Sequence, residues 1–332
     1  MRTFGLLILF LVLANCAGAE SSVKITKFDK SGEPPEDIRL MTDMKVSGDT
    51  LMFVYETQNG HGQLFVRRAI IDRNKHNLLI SPPLGKRDDG YYTSYMPYPF
   101  TGLDGTFRIV GQDDCEIYDI IGSTAIAGTR HRILDSNFSV PVQLSQHVSD
   151  VFVMAPDIYV FMAREPRGAR QFVLAADIVA SRIDTIRHIS VSSDLQAWMP
   201  NMGKMAYSDK HKSIVFAYRL HPYIEIFGTD GKTIKSVRIG EDTFDPRTLD
   251  EADFDSLNIL HTIYLTLSRN YIYVLYRASV YSEQKADIIK LDFEGNIIDR
   301  YRIDTKLSSI AATGDHTLVG WDGANFLYIE LY

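Results

Sequence analysis

Runs of about four to eight apolar, β-branched and aromatic residues recur along the chain, separated by clusters rich in Gly, Asp and Asn. No segment keeps a helical apolar period over three turns, so the pattern predicts an all-β protein. The clearest feature lies near the C-terminus, where the segment from Ile224 to Ile239 can be laid over the segment from Ile288 to Ile303 without a gap. Ile224, Gly231, Ile234, Arg238 and Ile239 then match Ile288, Gly295, Ile298, Arg302 and Ile303, an offset of 295 − 231 = 64. In both copies a strand runs into Asp-Gly or Glu-Gly, the chemistry of a chain reversal, and a second strand follows. Lys204 to Ser208 and Ile214 to Arg219 precede the first copy, and Ile263 to Ser268 and Tyr271 to Arg277 precede the second, so each unit has four strands.

A repeated four-stranded unit is the mark of a β-propeller. The same rhythm places weaker units at Met44 to Ile80, Tyr95 to Ile133 and Val151 to Ile189, with Asp49, Asp104-Gly105 and Asp157 at inner turns. Ser309 to Tyr332 has room for about three strands, and Val23 to Phe28 could supply the fourth and close the ring. About 310 residues divided by six gives roughly 52 per unit, which favours six blades over five or seven. A pair of β-sandwiches competes, but it does not require an in-register repeat.

The first fifteen residues are set apart from this pattern. Arg2 is followed by the apolar run Gly5 to Ala14, too short to span a bilayer as a helix, and the run ends Leu13-Ala14-Asn15-Cys16. The expected organisation is a lipoprotein signal at 1–15, a short tether at 16–22 and a propeller at 23–332, with Cys16 the lipidated residue and the attachment to a membrane. An ordinary secretory signal cut at Ala17 or Ala19 is the alternative. Cys115 is then left without a partner, and Asp113, Asp114 and Glu116 around it make it a poor nucleophile.

The whole chain carries 35 Lys and Arg against 42 Asp and Glu, a formal charge of −7. An acidic body argues against nucleic acid as a partner, because phosphate neutralisation needs a basic face. With the Leu13-Ala-Asn-Cys16 segment, the run Tyr223 to Lys235, and Asn270-Tyr-Ile-Tyr-Val-Leu-Tyr276 followed by Asp292-Phe-Glu-Gly-Asn296, the chain resembles the TolB-like six-bladed propeller lipoproteins of Bacteroides and its relatives. That resemblance implies a six-bladed fold and a lipid-anchored location in the cell envelope, at the outer membrane, and supplies no catalytic motif.

Motifs for reactive chemistry are missing: there is no His-Glu-x-x-His, no Gly-x-Ser-x-Gly, no phosphate loop and no cysteine pair for zinc. No cofactor is expected. Tyr91, Tyr92, Tyr95 and Tyr98 stand close together beside acidic and Pro residues, a composition that suits the face of a sugar or peptide, or simple packing between blades. Trp198 opens a blade and could face the channel mouth or pack under a loop. Asp250, Asp253 and Asp255 fall in an acidic insertion that could offer oxygens to calcium but lacks the Gly and Glu of an EF-hand, which favours a solvated loop.

Two functions fit these readings. One is a lipid-anchored binding or interaction module for an envelope protein, a peptide or a glycan. The other is a carbohydrate-active enzyme, a polysaccharide lyase or glycoside hydrolase, with histidines and carboxylates gathered at the channel. Convergence of His147, His188 and His261 would favour the enzyme; dispersal would count against it.

Overall fold

The computed structural model describes residues 21–32, 37–58, 63–86, 90–91, 97–112, 114–121, 125–127, 131–145, 147–245, 249, 258–280 and 286–332. Among these residues the strands gather into six sheets, each with a four-stranded antiparallel core, arranged as a β-propeller. Blade 1 runs from strand Ile38–Ser47 to Asn77–Ile80, blade 2 from Pro97–Thr101 to Ala125–Ala127 and blade 3 from Val148–Ala155 to Arg182–Ile189. Blade 4 runs from Gly203–Ser208 to Thr233–Arg238, blade 5 from Leu260–Leu267 to Ile297–Ile303, and blade 6 from Ser309–Ala312 to Phe326–Leu331. The first strand of each blade lies innermost, and these six strands abut one another in a closed ring.

The apolar core lies between blades, in six clusters among the described residues that each draw on two neighbouring sheets. Strand Ser213–Tyr218 shows how: Val215 and Ala217 pack toward blade 5, while Ile214, Phe216 and Tyr218 pack toward blade 3. A strand buried on both faces needs no polar alternation, which is why the second strands read as continuous apolar runs.

Ring closure follows the sequence expectation and extends it. Val23–Lys27 pairs antiparallel with Phe326–Leu331, Val23 opposite Leu331, as the outer strand of blade 6. The chain then continues into Asp29–Gly32, which pairs in parallel with Asn77–Ile80 on the outside of blade 1. One short N-terminal segment therefore clasps the last blade to the first. Phe28 lies at the crossover, 1% exposed, edge-on to Tyr328 at 5.7 Å.

The 64-residue repeat is exact in register. Ile226 pairs with Lys235 and Phe227 with Thr233 in blade 4, and Lys290 pairs with Asp299 and Leu291 with Ile297 in blade 5, so both hairpins carry the same shift at the same place. Gly231 and Gly295, at φ +78° and +84°, take the left-handed conformation that each turn needs.

The ring has two faces. Connections from first to second strand and from third to fourth lie on one, here the hairpin face, and are tight, as at 48–49 and 156–157. Connections between blades, such as 190–202 and 304–308, lie on the other, the loop face.

Candidate functional site at the channel mouth

A cavity of about 330 Å³ occupies the channel where the inner strands converge, and it opens on the hairpin face. Every blade contributes to its wall: Lys45, Tyr98, Phe152, Tyr207, Thr266 and Ala312 come from blades 1 to 6 in turn. Phe152 and Tyr207 are stacked, with centroids 4.7 Å apart and planes 9° from parallel. Together they make an aromatic stack in the pocket wall.

Charged side chains line the same cavity. Asp43 and Asp150 are 2% and 8% exposed, with Lys45 Nζ 3.7 Å from Asp43 Oδ1 and Lys204 Nζ 3.7 Å from Asp150 Oδ1. The Tyr264 hydroxyl donates to Asp43 and accepts from the Met44 amide at 2.8 Å, with the Met44 carbonyl oxygen 3.0 Å away. Lys204 also lies over the rings of Tyr98 and Tyr264, at 5.8 and 5.6 Å.

Local backbone irregularity places these groups. The inner strand of blade 3 shifts register between Ser149 and Phe152, and Asp150 within that bulge adopts φ +47°, a left-handed conformation that Asp tolerates better than most residues. Blade 1 shifts between Met41 and Asp43, and blade 5 between Leu260 and Tyr264. A bulge re-aims the side chain beside it, here toward the axis. The inner strand of blade 4, which brings Lys204, is regular.

Burial governs the titration of this cluster. It raises the Asp150 carboxyl above its ordinary range, outweighing the pull of Lys204 and Lys45, while Asp43 adds repulsion. Burial pushes Lys204 down, but Asp150 and Asp43 together reverse this and hold the ammonium above its ordinary range. The two partners shift unequally for a simple reason: Lys204 sees two carboxylates, whereas Asp150 sees a second carboxylate as well as the lysines. We therefore treat Lys204 as firmly charged and ionised Asp150 as the costly member. Burial pushes Tyr98 up to about 12, and burial with the Asp43 charge raises Tyr264 well above the usual range, so both hydroxyls keep their protons.

The pocket thus offers the Lys45 ammonium, the Tyr98 and Tyr207 hydroxyls and the Asp150 carboxylate, whose Oδ1 has no hydrogen bond. The pocket charges pair off, Asp209 at its edge with Lys212 included. Such a lining matches a hydroxyl-rich ligand better than a strongly charged one.

Of the aromatic residues singled out in the sequence, Tyr98 lines this pocket. Tyr91 ends the strand Gly90–Tyr91, which pairs with Gly85–Lys86 outside blade 2, and Tyr92 and Tyr95 lie outside the described residues. Trp198 belongs to the loop-face connection 190–202, with the Arg164 guanidinium 4.1 Å from its ring centroid; it is not part of the pocket wall. Asp250, Asp253 and Asp255 lie outside the described residues. Sequence reasoning did not find Asp43, Lys45, Asp150, Lys204, Tyr264 or the Phe152–Tyr207 pair. The available signal was a charged residue interrupting an apolar inner strand, as Asp43 does between Met41 and Met44.

None of the described histidines lines the channel pocket. His188 lies against Phe172 on blade 3, near Arg170 and Glu165, while His261 is near His221 and Asp242 on the loop face. The described residues contain no group of three or more His, Cys, Asp or Glu able to hold a metal ion. His221 Nδ1 is 3.4 Å from the Asp242 carboxylate, and His261 Nδ1 is 3.4 Å from the Tyr276 hydroxyl. Burial lowers both imidazoles, His261 to about 4.

No protein-family model matches the chain, and no curated protein matches it. Solved structures share its fold. A member of the duf4221 family from Bacteroides vulgatus aligns with TM-score 0.57 and 8% identity, over 94% of this chain and 97% of that one. A structural-genomics protein of unknown function from Bacteroides thetaiotaomicron aligns with TM-score 0.53 and 12% identity, over 94% and 77%. A streptogramin B lyase aligns with TM-score 0.48 and 11% identity, over 93% and 98%. At these identities the likeness is one of fold alone.

Proposed function

We propose that this propeller is a binding module of the cell envelope, related to the TolB-like lipoproteins, anchored through lipid on Cys16 and taking the end of a neutral, hydroxyl-rich ligand such as a glycan into its channel mouth. One observation carries the reading: a pocket of about 330 Å³ that combines the stacked Phe152–Tyr207 pair with the buried Asp150 Oδ1, which has the Lys204 ammonium at 3.7 Å but no hydrogen bond. Its volume is within the range of small-ligand sites, which starts at about 300 Å³. An apolar sugar face would pack on the aromatic stack. Its hydroxyls would donate to Asp150 and accept from Lys45.

The test is thermal unfolding of the protein against a panel of neutral oligosaccharides, with Tyr207→Ala and Asp150→Asn as site variants. A ligand at 100 times its Kd adds about 2.7 kcal/mol, a rise in Tm of several degrees. The expected result is a rise with one glycan class, lost in both variants, with the glycan recovered at its original length. Absence of a shift with every glycan, or a shift that both variants retain, overturns the reading. Shortened glycan replaces the binding module with the enzyme.

A further inference from the structure

The N-terminal segment enters the propeller on the face where the channel pocket opens. Val23 is opposite Leu331 and Lys27 opposite Leu327, so the segment starts at the end of blade 6 where the Leu331 amide donates to the His316 carbonyl, beside the 313–316 turn. Ser22 and Tyr332 exchange backbone hydrogen bonds at 3.2 and 3.0 Å, and Ser21 Oγ donates to Asp299 Oδ1 of blade 5 at 2.6 Å. The point of entry is thus tied to two blades.

We infer that the hairpin face, and with it the channel mouth, is held toward the bilayer that carries the lipid on Cys16, and that the loop face points away. The inference rests on the reading of Cys16 as the acylated residue. Two lengths decide the orientation. From Cys16 to Ser21 there are 21 − 16 = 5 residues, and an extended chain covers at most about 3.6 Å for each, or about 18 Å. The loop face lies beyond the outer strands, of which Ile297–Ile303 has seven residues, about 23 Å at 3.3 Å per residue. A tether of that reach cannot climb the side of the ring and let the loop face meet the membrane.

Charge on the hairpin face does not change this. Arg73, Lys75, Lys210 and Lys212 are accompanied there by Asp49, Asp72 and Asp209, with ion pairs from Arg73 to Asp49, Lys75 to Asp72 and Lys212 to Asp209. The face is held by the tether and has no basic patch of its own to bind anionic lipid. The ligand class narrows accordingly. A pocket facing a bilayer at this distance meets hydroxyl-rich groups borne by that membrane, such as the sugar headgroup of a glycolipid.

The experiment uses the full chain purified from membranes and reconstituted into phosphatidylcholine vesicles containing a headgroup nitroxide lipid. Two single-cysteine probes sit at opposite ends of blade 5: Glu294→Cys, exposed in the turn before the outer strand, and Asp304→Cys, exposed just after it. Cys115 is buried and leaves the fluorophore to the introduced thiol. The expected result is at least threefold stronger quenching at position 294 than at 304, with an acyl mass found on Cys16. Equal or reversed quenching on acylated protein overturns the orientation and leaves the binding reading intact. Absence of the acyl mass overturns the anchor reading and the orientation together.

Discussion

The rim and the channel of this propeller are built on different terms. At the rim, the outer hairpins of blades 4 and 5 repeat the same pairing, the same register shift and the same left-handed glycine, and the N-terminal clasp closes the ring with backbone hydrogen bonds. In the channel no such repetition holds: bulges in blades 1, 3 and 5 turn Asp43, Asp150 and Tyr264 toward an axis where carboxylates are buried against lysines. Regular pairing stabilises; buried ion pairs rarely do so on balance. The rim therefore keeps the fold, and the channel is where stability is exchanged for a polar site.

The strongest way to break this contrast is at the clasp. Phe28 is fully buried between Val23–Lys27 and Asp29–Gly32 and packs on Tyr328, so Phe28→Ala leaves a large cavity where the clasp crosses from the last blade to the first and is expected to cost about 3 to 5 kcal/mol. Urea unfolding measures it. A loss below about 1 kcal/mol would mean that the clasp is not what closes the ring.

Acid tests the loop-face end of the structure. His261 is held neutral, its folded pKa pushed down to about 4, and His221 is lowered as well, with Asp242 and Tyr276 as the facing groups. A depressed imidazole favours the folded state above the unfolded value of about 6.5, and that contribution fades as pH falls through the folded value. Stability should drop between pH 6.5 and 4, by up to about 3 kcal/mol from His261 alone. His261→Gln should flatten this part of the pH profile in chemical denaturation, whatever it does to stability at neutral pH.

The channel pair gives a smaller effect with a distinctive pattern. Asp150→Asn keeps a residue suited to φ +47° but leaves Lys204 with a single carboxylate neighbour. Removing one member of a buried pair costs about 3 kcal/mol or more; because the Lys204 side chain is 26% exposed, about 2 kcal/mol is expected here. Adding Lys204→Met should recover most of it. A double variant as unstable as the sum of the single ones would show that each side chain supports the fold independently of the other, with no coupling between them, and would remove the contrast between rim and channel.

These two regions also differ in what the sequence makes visible. The blade count, the turns at Asp49, Asp104-Gly105 and Asp157 and the closing strand from Val23 are legible because strand periodicity and turn chemistry are local. The second clasp strand, Asp29–Gly32, is not, since Asp-Lys-Ser-Gly has no strand character and pairs only because blade 1 offers an edge. The channel site is illegible for a stronger reason. Lys45, Asp150, Lys204 and Tyr264 are brought together by ring closure across residues 45 to 264, and two of the strands reach the axis through bulges that no alternation predicts. Tyr98 is legible because it stands in a conspicuous aromatic run, although of the described tyrosines of that run the pocket takes it alone and draws its aromatic stack from Phe152 and Tyr207.

The smallest effect separates two positions that the repeat makes equivalent. Gly231 and Gly295 share a conformation, so replacing either with Ala costs about 1 kcal/mol from left-handed strain alone. Their surroundings differ. A Cβ at Gly231 would lie 2.1 Å from the Ile186 carbonyl oxygen of blade 3, backbone that cannot yield, whereas one at Gly295 would meet Lys235 Cγ at 2.5 Å and Val237 Cγ2 at 2.8 Å, side chains with room to turn. Gly231→Ala is expected to be the more damaging by about 1 kcal/mol, since an unyielding overlap adds to the strain. Thermal unfolding of both variants measures the difference, and equal losses would show that the turn alone, and not the contact with the preceding blade, requires glycine at these positions.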